Sequence, residues 1–333
     1  MTLLFDNADA IDSPTLAPAR LTDDGGARHV GERGKVLEIG LVNNMGDAAM
    51  RATERQFMRL LRAGSGDRPV RLRCFALRSV QRSPAARQHI DSLYADIDEL
   101  QHSRLDGLIV TGAEPRAATL QREPYWDELR ALVDWAEANT RSTIWSCLAA
   151  HAAVLHLDGI ERRRLPRKCS GVYAGEPVQD DELLADLPSP MRVPHSRLND
   201  LAADTLAAGG YRVLTRAEDA GVDIFAREGR SRFVFFQGHP EYDVASLQRE
   251  YLRDIGRFLT GERDDYPEIP VAYFDAATEA ALHALRSDAE RNRDPAMIGR
   301  LPKLTLRPGV ADDIDATATT LFRNWLSSIA SRS

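Results

Sequence analysis

From residue 35 to residue 160 the chain alternates short, almost wholly apolar runs with stretches of helical periodicity, and this rhythm constrains the fold more than any other feature. "KVLEIGLVNN" (35–44) precedes "ATERQFMRLLRAG" (52–64), where Phe57, Leu60 and Leu61 mark one helical face and Gly64 suits the C-cap. "PVRLRCFAL" (69–77) alternates as a second strand, and "LDGLIVTGA" (105–113) precedes the amphipathic "YWDELRALVDWAEAN" (125–139). "STIWSC" then runs straight into "LAAHAAVLHLDGI" (148–160). A strand that is apolar at every position is buried on both faces, and a helix between two such strands lets them pair in parallel. The pattern predicts an α/β fold, a doubly wound, mostly parallel sheet flanked by helices, with ligands at the carboxyl ends of its strands.

After about residue 170 the rhythm changes. "YRVLTRAEDAGVDIFAREGRSRFVFFQGHPEY" (211–242) reads as three short strands separated by turns, an antiparallel extension that returns "GHPEYD" to the sheet. "VASLQREYLRDIGRFLTG" (244–261) is a helix, and the tail holds two more helical patterns, "TEAALHALRSDAERN" and "ATTLFRNWLSSIA", placed on the sheet's flank. Residues 1–34, rich in Ala, Asp, Gly and Pro, read as a flexible arm. The expected organisation is therefore an arm (1–34), an α/β domain (35–262) and a C-terminal helical extension packed on it (263–333).

Charge and cysteine usage exclude several function classes. A net charge of −7 with scattered arginines leaves no basic footprint for nucleic acid. No run approaches the roughly 20 apolar residues of a membrane span. Asp6, Asp9 and Asp12 interrupt any signal-peptide core, and three cysteines without a C-x-x-C pair build neither a disulfide framework nor a zinc site. A reducing, cytoplasmic setting is expected, with no metal.

Cys147 stands where a buried strand turns directly into a helix, a tight elbow that exposes a side chain beside the positive helix N-terminus. A lone cysteine is more often a small core residue, so a nucleophilic role needs a base and an orienting group. His239 and Glu241 supply both: they lie two apart after the apolar "FVFFQ", and in an extended segment such residues point the same way.

Cysteine at an elbow followed by His-Pro-Glu after a later strand resembles the class I glutamine amidotransferase-like fold. Within it, "TERQFMRLL", "DGLIVTGA" with a following "YW", "LPRKCSGVY" (165–173), "PHSR" (194–197), "GHPEYDVASLQREYLRD" (238–254) and "NWL" (324–326) resemble the homoserine O-acyltransferases of methionine biosynthesis, the homoserine O-succinyltransferase family. The resemblance implies Cys147 as acyl-thioester nucleophile, His239 as general base and Glu241 as its partner. It makes Lys168 and Ser196 substrate contacts, Arg253 the holder of the amino acid's carboxylate and Glu250 the partner of its ammonium. Glu250 and Arg253, three apart on a helix, present opposite charges side by side, as the complement of an amino acid requires.

The resemblance further implies two-step acyl transfer from acyl-CoA, a co-substrate with no bound cofactor, to homoserine, in a homodimer. The backbone N–H groups of Leu148 and of Asn44, in the loop after the first strand, are the expected oxyanion donors. Counting from Thr-Gly-Ala places Arg116 where the family's acyl preference is set, and a cation there favours succinyl over acetyl. The chain departs from the family at Ala149 and His151, where glycine and glutamine are usual, and in "NNMGDAAMRATERQF", which lacks the family's active-site lysine and leaves Arg51 as the substitute cation. Alternatives are a serine or homoserine O-acetyltransferase, a glutamine amidohydrolase-like enzyme, or a non-catalytic descendant of the fold.

Overall fold

The computed structural model describes residues 3–5 and 36–332. The arm expected over 1–34 lies outside the described residues apart from β1 (Leu3–Phe5). There follow β2 (Leu37–Val42), α1 (Asp47–Gly64), β3 (Val70–Phe75), α2 (Pro84–Leu93), β4 (Gly107–Thr111), α3 (Trp126–Asn139), β5 (Ser142–Ser146) and α4 (Leu148–Asp158). The second half contains β6 (Arg163–Pro177), β7 (Met191–Asp200), α5 (Ala203–Ala208), β8 (Arg212–Val213), β9 (Thr215–Ala217), β10 (Gly221–Val222), β11 (Ile224–Arg227), β12 (Arg232–Phe236), α6 (Ser246–Leu259), α7 (Ala276–Arg291) and α8 (Val310–Ser331).

The main sheet has eight strands in the order β1-β3-β2-β4-β5-β12-β11-β8. Its strands pair in parallel from β1 to β12, and β11 and β8 add an antiparallel edge. Successive side chains on a strand face opposite ways, so each apolar strand feeds two cores. Val42, Leu108, Val110 and Trp145 pack with α3 and α4. Ile39, Leu41, Ile109 and Ile144 pack with Phe57, Leu60 and Leu61 of α1 and with Phe322, Trp325, Leu326 and Ile329 of α8.

The C-terminal helix thus shares a core with the sheet. Trp325 donates from Nε1 to Ser142 Oγ at 3.0 Å. Gly64 lets α1 meet α8 closely, since a Cβ there would lie 2.7 Å from the Arg323 backbone nitrogen. By contrast α7 contributes Leu282 and Leu285 to a separate core that also holds Tyr251, Ile255 and Phe258 of α6 and Val310 and Ile314 of α8. Helix α1 begins at Asp47, earlier than the apolar periodicity indicates, because an acidic residue in the first turn complements the helix dipole.

The antiparallel extension differs from expectation in one respect. Five strands lie within 211–242, and the last, β12, pairs in parallel with β5 as a member of the main sheet. A separate antiparallel sheet, β10-β9-β6-β7, is built around the long β6–β7 pair. The basic, proline-containing "RRLPRK" that opens β6 lacks the apolar alternation from which a strand is read.

Candidate active site

The parallel register of β5 and β12 sets Ser146 beside Phe236, so the segments leaving these two strands emerge together. The first is the elbow. Cys147 has φ 50° and ψ −108°, a strained conformation for a residue with a side chain, and its N–H donates to the Phe236 carbonyl at 2.7 Å. Gly112, after β4, makes room for the turn, because a Cβ there would lie 2.5 Å from Leu148 Cβ. Cys147 is partly exposed. Burial pushes the Cys74 thiol up to about 12 and also raises that of Cys169, which suits neither to nucleophilic work.

The second emerging segment carries His239, whose N–H donates to the Pro194 carbonyl at 2.7 Å and anchors the turn to β7. His239 Nδ1 lies 2.8 Å from Glu241 Oε1, which also accepts from Ser146 Oγ at 3.1 Å. A proton on Nδ1 engaged by Glu241 leaves Nε2 for the thiol. Burial alone would lower the pKa of His239, but negative charge on the Cys147 sulfur and on Glu241 outweighs it and holds the imidazole well above its ordinary value. The stabilisation from this protonated ring is therefore fully present below the unfolded value of about 6.5 and is lost as pH rises through the elevated folded value. In Glu241→Gln the His239 titration, followed by imidazole NMR, moves to lower pH and the alkaline loss of stability begins earlier. An unchanged midpoint would exclude Glu241 as its electrostatic partner.

A cluster of charges adjoins the histidine. The Tyr242 ring stacks on His239 with centroids 4.2 Å apart, and its hydroxyl donates to Glu250 Oε1 at 2.6 Å. Ser196 donates to the other Glu250 oxygen, and Lys168 Nζ lies 3.5 Å from Glu250 and 2.9 Å from Asp254. Against the upward push of burial, Lys168, Ser196 and Tyr242 hold Glu250 below the usual carboxylate range. Arg253 donates to Asp254 at 3.1 Å and remains half exposed. Lys168, Ser196, Glu250 and Arg253 are thus gathered from β6, β7 and α6. Tyr242, Ser146 and Asp254 were not singled out from sequence, although Asp254 follows Glu250 by one helical turn.

Two of the residues expected at the site are engaged by other groups. Asn44 is not a free oxyanion donor: its N–H donates to Thr111 Oγ1 at 2.8 Å and its side-chain amide to the Thr111 carbonyl at 3.1 Å, stapling the ends of β2 and β4 together. Arg116 directs its guanidinium to Gln81 at the exposed rim, while Glu123 accepts its N–H at 2.7 Å. Arg51 is also exposed. The cation that meets the loop after β2 is Arg82, which donates to the carbonyls of Met45 and Asn43 at 2.6 and 2.8 Å. His151 is a core residue, its ring bonded to Gln237 at 3.0 Å and its pKa pushed down to about 3 by burial. Among the described residues no His, Cys, Asp or Glu cluster could hold a metal ion, and no helix is long and apolar enough to cross a membrane.

A thiol on a strand-to-helix elbow beside a carboxylate-bound imidazole is an arrangement of an α/β enzyme that can support nucleophilic chemistry at sulfur. The homoserine O-succinyltransferase family model matches residues 21–332. The chain is 76% identical over 331 residues to the homoserine O-succinyltransferase of Rhodopseudomonas palustris and 54% identical to that of Bradyrhizobium japonicum, with 99% of each chain covered in both cases. It belongs to the homoserine O-succinyltransferase family. Among solved structures, a glutamine amido transferase from Methylobacillus flagellatus aligns at a TM-score of 0.49 and 16% identity, over 89% of this chain and 95% of that one.

Proposed function

We propose that the chain transfers the succinyl group of succinyl-CoA to the γ-hydroxyl of homoserine, a step of methionine biosynthesis, through a thioester on Cys147. The observation that carries this reading is the shared wall of the site: Tyr242 stacks on His239 and donates to Glu250, so the proton-transfer group and the charge complementary to an amino acid's ammonium are joined by one side chain. His239 takes the thiol proton and the sulfur attacks the thioester carbonyl. The oxyanion that forms is met by the Leu148 N–H at the start of α4. The carbonyl carbon's bond to the CoA sulfur breaks, and CoA leaves with the proton from His239. Homoserine enters with its ammonium toward Glu250 and its carboxylate toward Arg253, beside Lys168 and Ser196. His239 removes the hydroxyl proton, the oxygen attacks the acyl carbon, and Cys147 leaves and regains its proton.

Acyl-CoA acts here as a co-substrate. The three free cysteines suit a cytoplasmic setting. A homodimer is carried over from the family resemblance. Mass-spectrometric assay of the purified protein with homoserine or serine, each against succinyl-CoA and acetyl-CoA, tests the reading. O-succinylhomoserine should dominate. A predominant acetyl ester, transfer to serine in preference to homoserine, or ammonia release from glutamine without acyl transfer would overturn it.

A further inference from the structure

Beside the elbow lie two polar groups that the machinery above does not use. Tyr125 caps α3 and is 5% exposed, yet its buried hydroxyl has no hydrogen-bond partner among the described residues. Arg162, in the coil between α4 and β6, is partly buried and makes no hydrogen bond or ion pair with any described residue. Its neighbour Arg163 is bound to Asp200 by two hydrogen bonds, and the buried Arg232 is paired with Asp181 and Glu182. Arg162 lies in the electrostatic field of Tyr125, Cys147 and Glu123, and His151, one turn into α4, feels its charge. Geometry places this coil at the same end of the sheet: Arg163 pairs in register with Asp200, the N–H of the next residue, Leu201, donates to Gln237 Oε1 at 2.8 Å, and Gln237 holds His151 of α4 at 3.0 Å.

Nearby carboxylate charge does not make a direct pair with it. Glu123 Oε1 accepts the N–H groups of Arg116 and Ala117, each at 2.7 Å, and so shapes the loop after β4. Glu114 in that loop lies 3.6 Å from Arg257 of α6. A guanidinium stays charged at any working pH, and holding one partly out of water without a partner costs free energy that an incoming anion would offset.

We propose that Arg162, together with the Tyr125 hydroxyl, receives the distal carboxylate of a dicarboxylic acyl group carried on Cys147, and thereby sets the preference for succinyl over acetyl. The inference rests on the acyl-transfer reading above and assigns to Arg162 the role first expected of Arg116. A succinyl carboxylate stands three carbon–carbon bonds beyond the thioester carbonyl and presents two oxygens to a planar fork of donors; an acetyl group ends in a methyl and offers neither. Tyr125, with an unspent donor in a buried position, can supply a further hydrogen bond.

The test is single-turnover acylation of Cys147, read by mass spectrometry, with succinyl-CoA and acetyl-CoA as separate donors. Arg162→Met, which keeps much of the length and loses the charge, should slow succinylation roughly 10- to 100-fold, the scale of a lost charge-assisted contact, and change acetylation by less than about twofold. Tyr125→Phe should shift the ratio in the same direction by less. Free succinate should compete with acetyl-CoA in the wild-type chain and lose that effect in Arg162→Met. Equal loss with both donors, or an unaltered donor ratio, overturns the role of Arg162 and leaves the acyl-transfer reading standing. No adduct on wild-type Cys147 from either donor overturns both.

Discussion

Cys147→Ala should carry no acyl group after incubation with succinyl-CoA, and its turnover should fall by about 10⁴-fold or more, the scale of losing a nucleophile from a catalytic unit. The expectation follows from the elbow. Its backbone sits at φ 50°, with the amide N–H tied to Phe236, so the thiol is held at the start of α4. Alanine occupies the same backbone and leaves Leu148, Gly112 and the sheet in place, so the variant should fold. Cys74→Ser and Cys169→Ser should retain the adduct, since burial raises both of those thiols. An acyl mass on Cys74 or Cys169, or substantial activity in Cys147→Ala, would remove the covalent mechanism.

His239→Asn should slow both half-reactions, each by about 10²- to 10⁴-fold, because one imidazole serves the thiol in the first step and the homoserine hydroxyl in the second. Asparagine is smaller and can still hydrogen-bond Glu241, but it cannot carry a proton. The two steps should respond differently to alkali. Raising pH ionises a thiol without assistance and should restore part of the acylation rate, whereas an aliphatic hydroxyl stays protonated and transfer to homoserine should remain slow. Stopped-flow CoA release reports the first step, and decay of the isolated acyl-enzyme on adding homoserine reports the second. A loss confined to acylation would show that another group deprotonates the acceptor, and the Tyr242 stack between His239 and Glu250 would then be structural.

The elements nearest the candidate chemistry were legible because their signals are local. β4 and β5 carry apolar centres, Leu-Ile-Val and Ile-Trp, and are buried at every position, and the direct passage from "STIWS" through Cys147 into alanine-rich helix marks an elbow. His239 and Glu241 are two apart after a strand, and the observed 2.8 Å contact follows from that spacing with little outside help. Glu250 and Arg253 share a helical face for the same reason.

Where a group depends on strand order or on a distant partner, sequence spacing carries no such signal. Arg116 was a reasonable cation for the acyl pocket by counting along the chain, but Gln81 takes its side chain, whereas Arg162 arrives from beyond the far end of α4. Asn44 had the right place for an oxyanion donor until Thr111, on the neighbouring strand, claimed its N–H. The packing of α8 requires Gly64 of α1 to admit the Phe322–Arg323 backbone and Gly107 of β4 to admit Trp325 and Ile329, and no local periodicity encodes those contacts. Determined by the sequence itself were the alternating elements, the elbow and the His–Glu pair, all of which arise from backbone geometry within a few residues. The register that sets Ser146 beside Phe236, the gathering of Lys168, Ser196 and Glu250, and the spent or unspent state of each donor were decided by tertiary structure alone, because hydrogen bonds and charges are satisfied by whatever folding brings within reach.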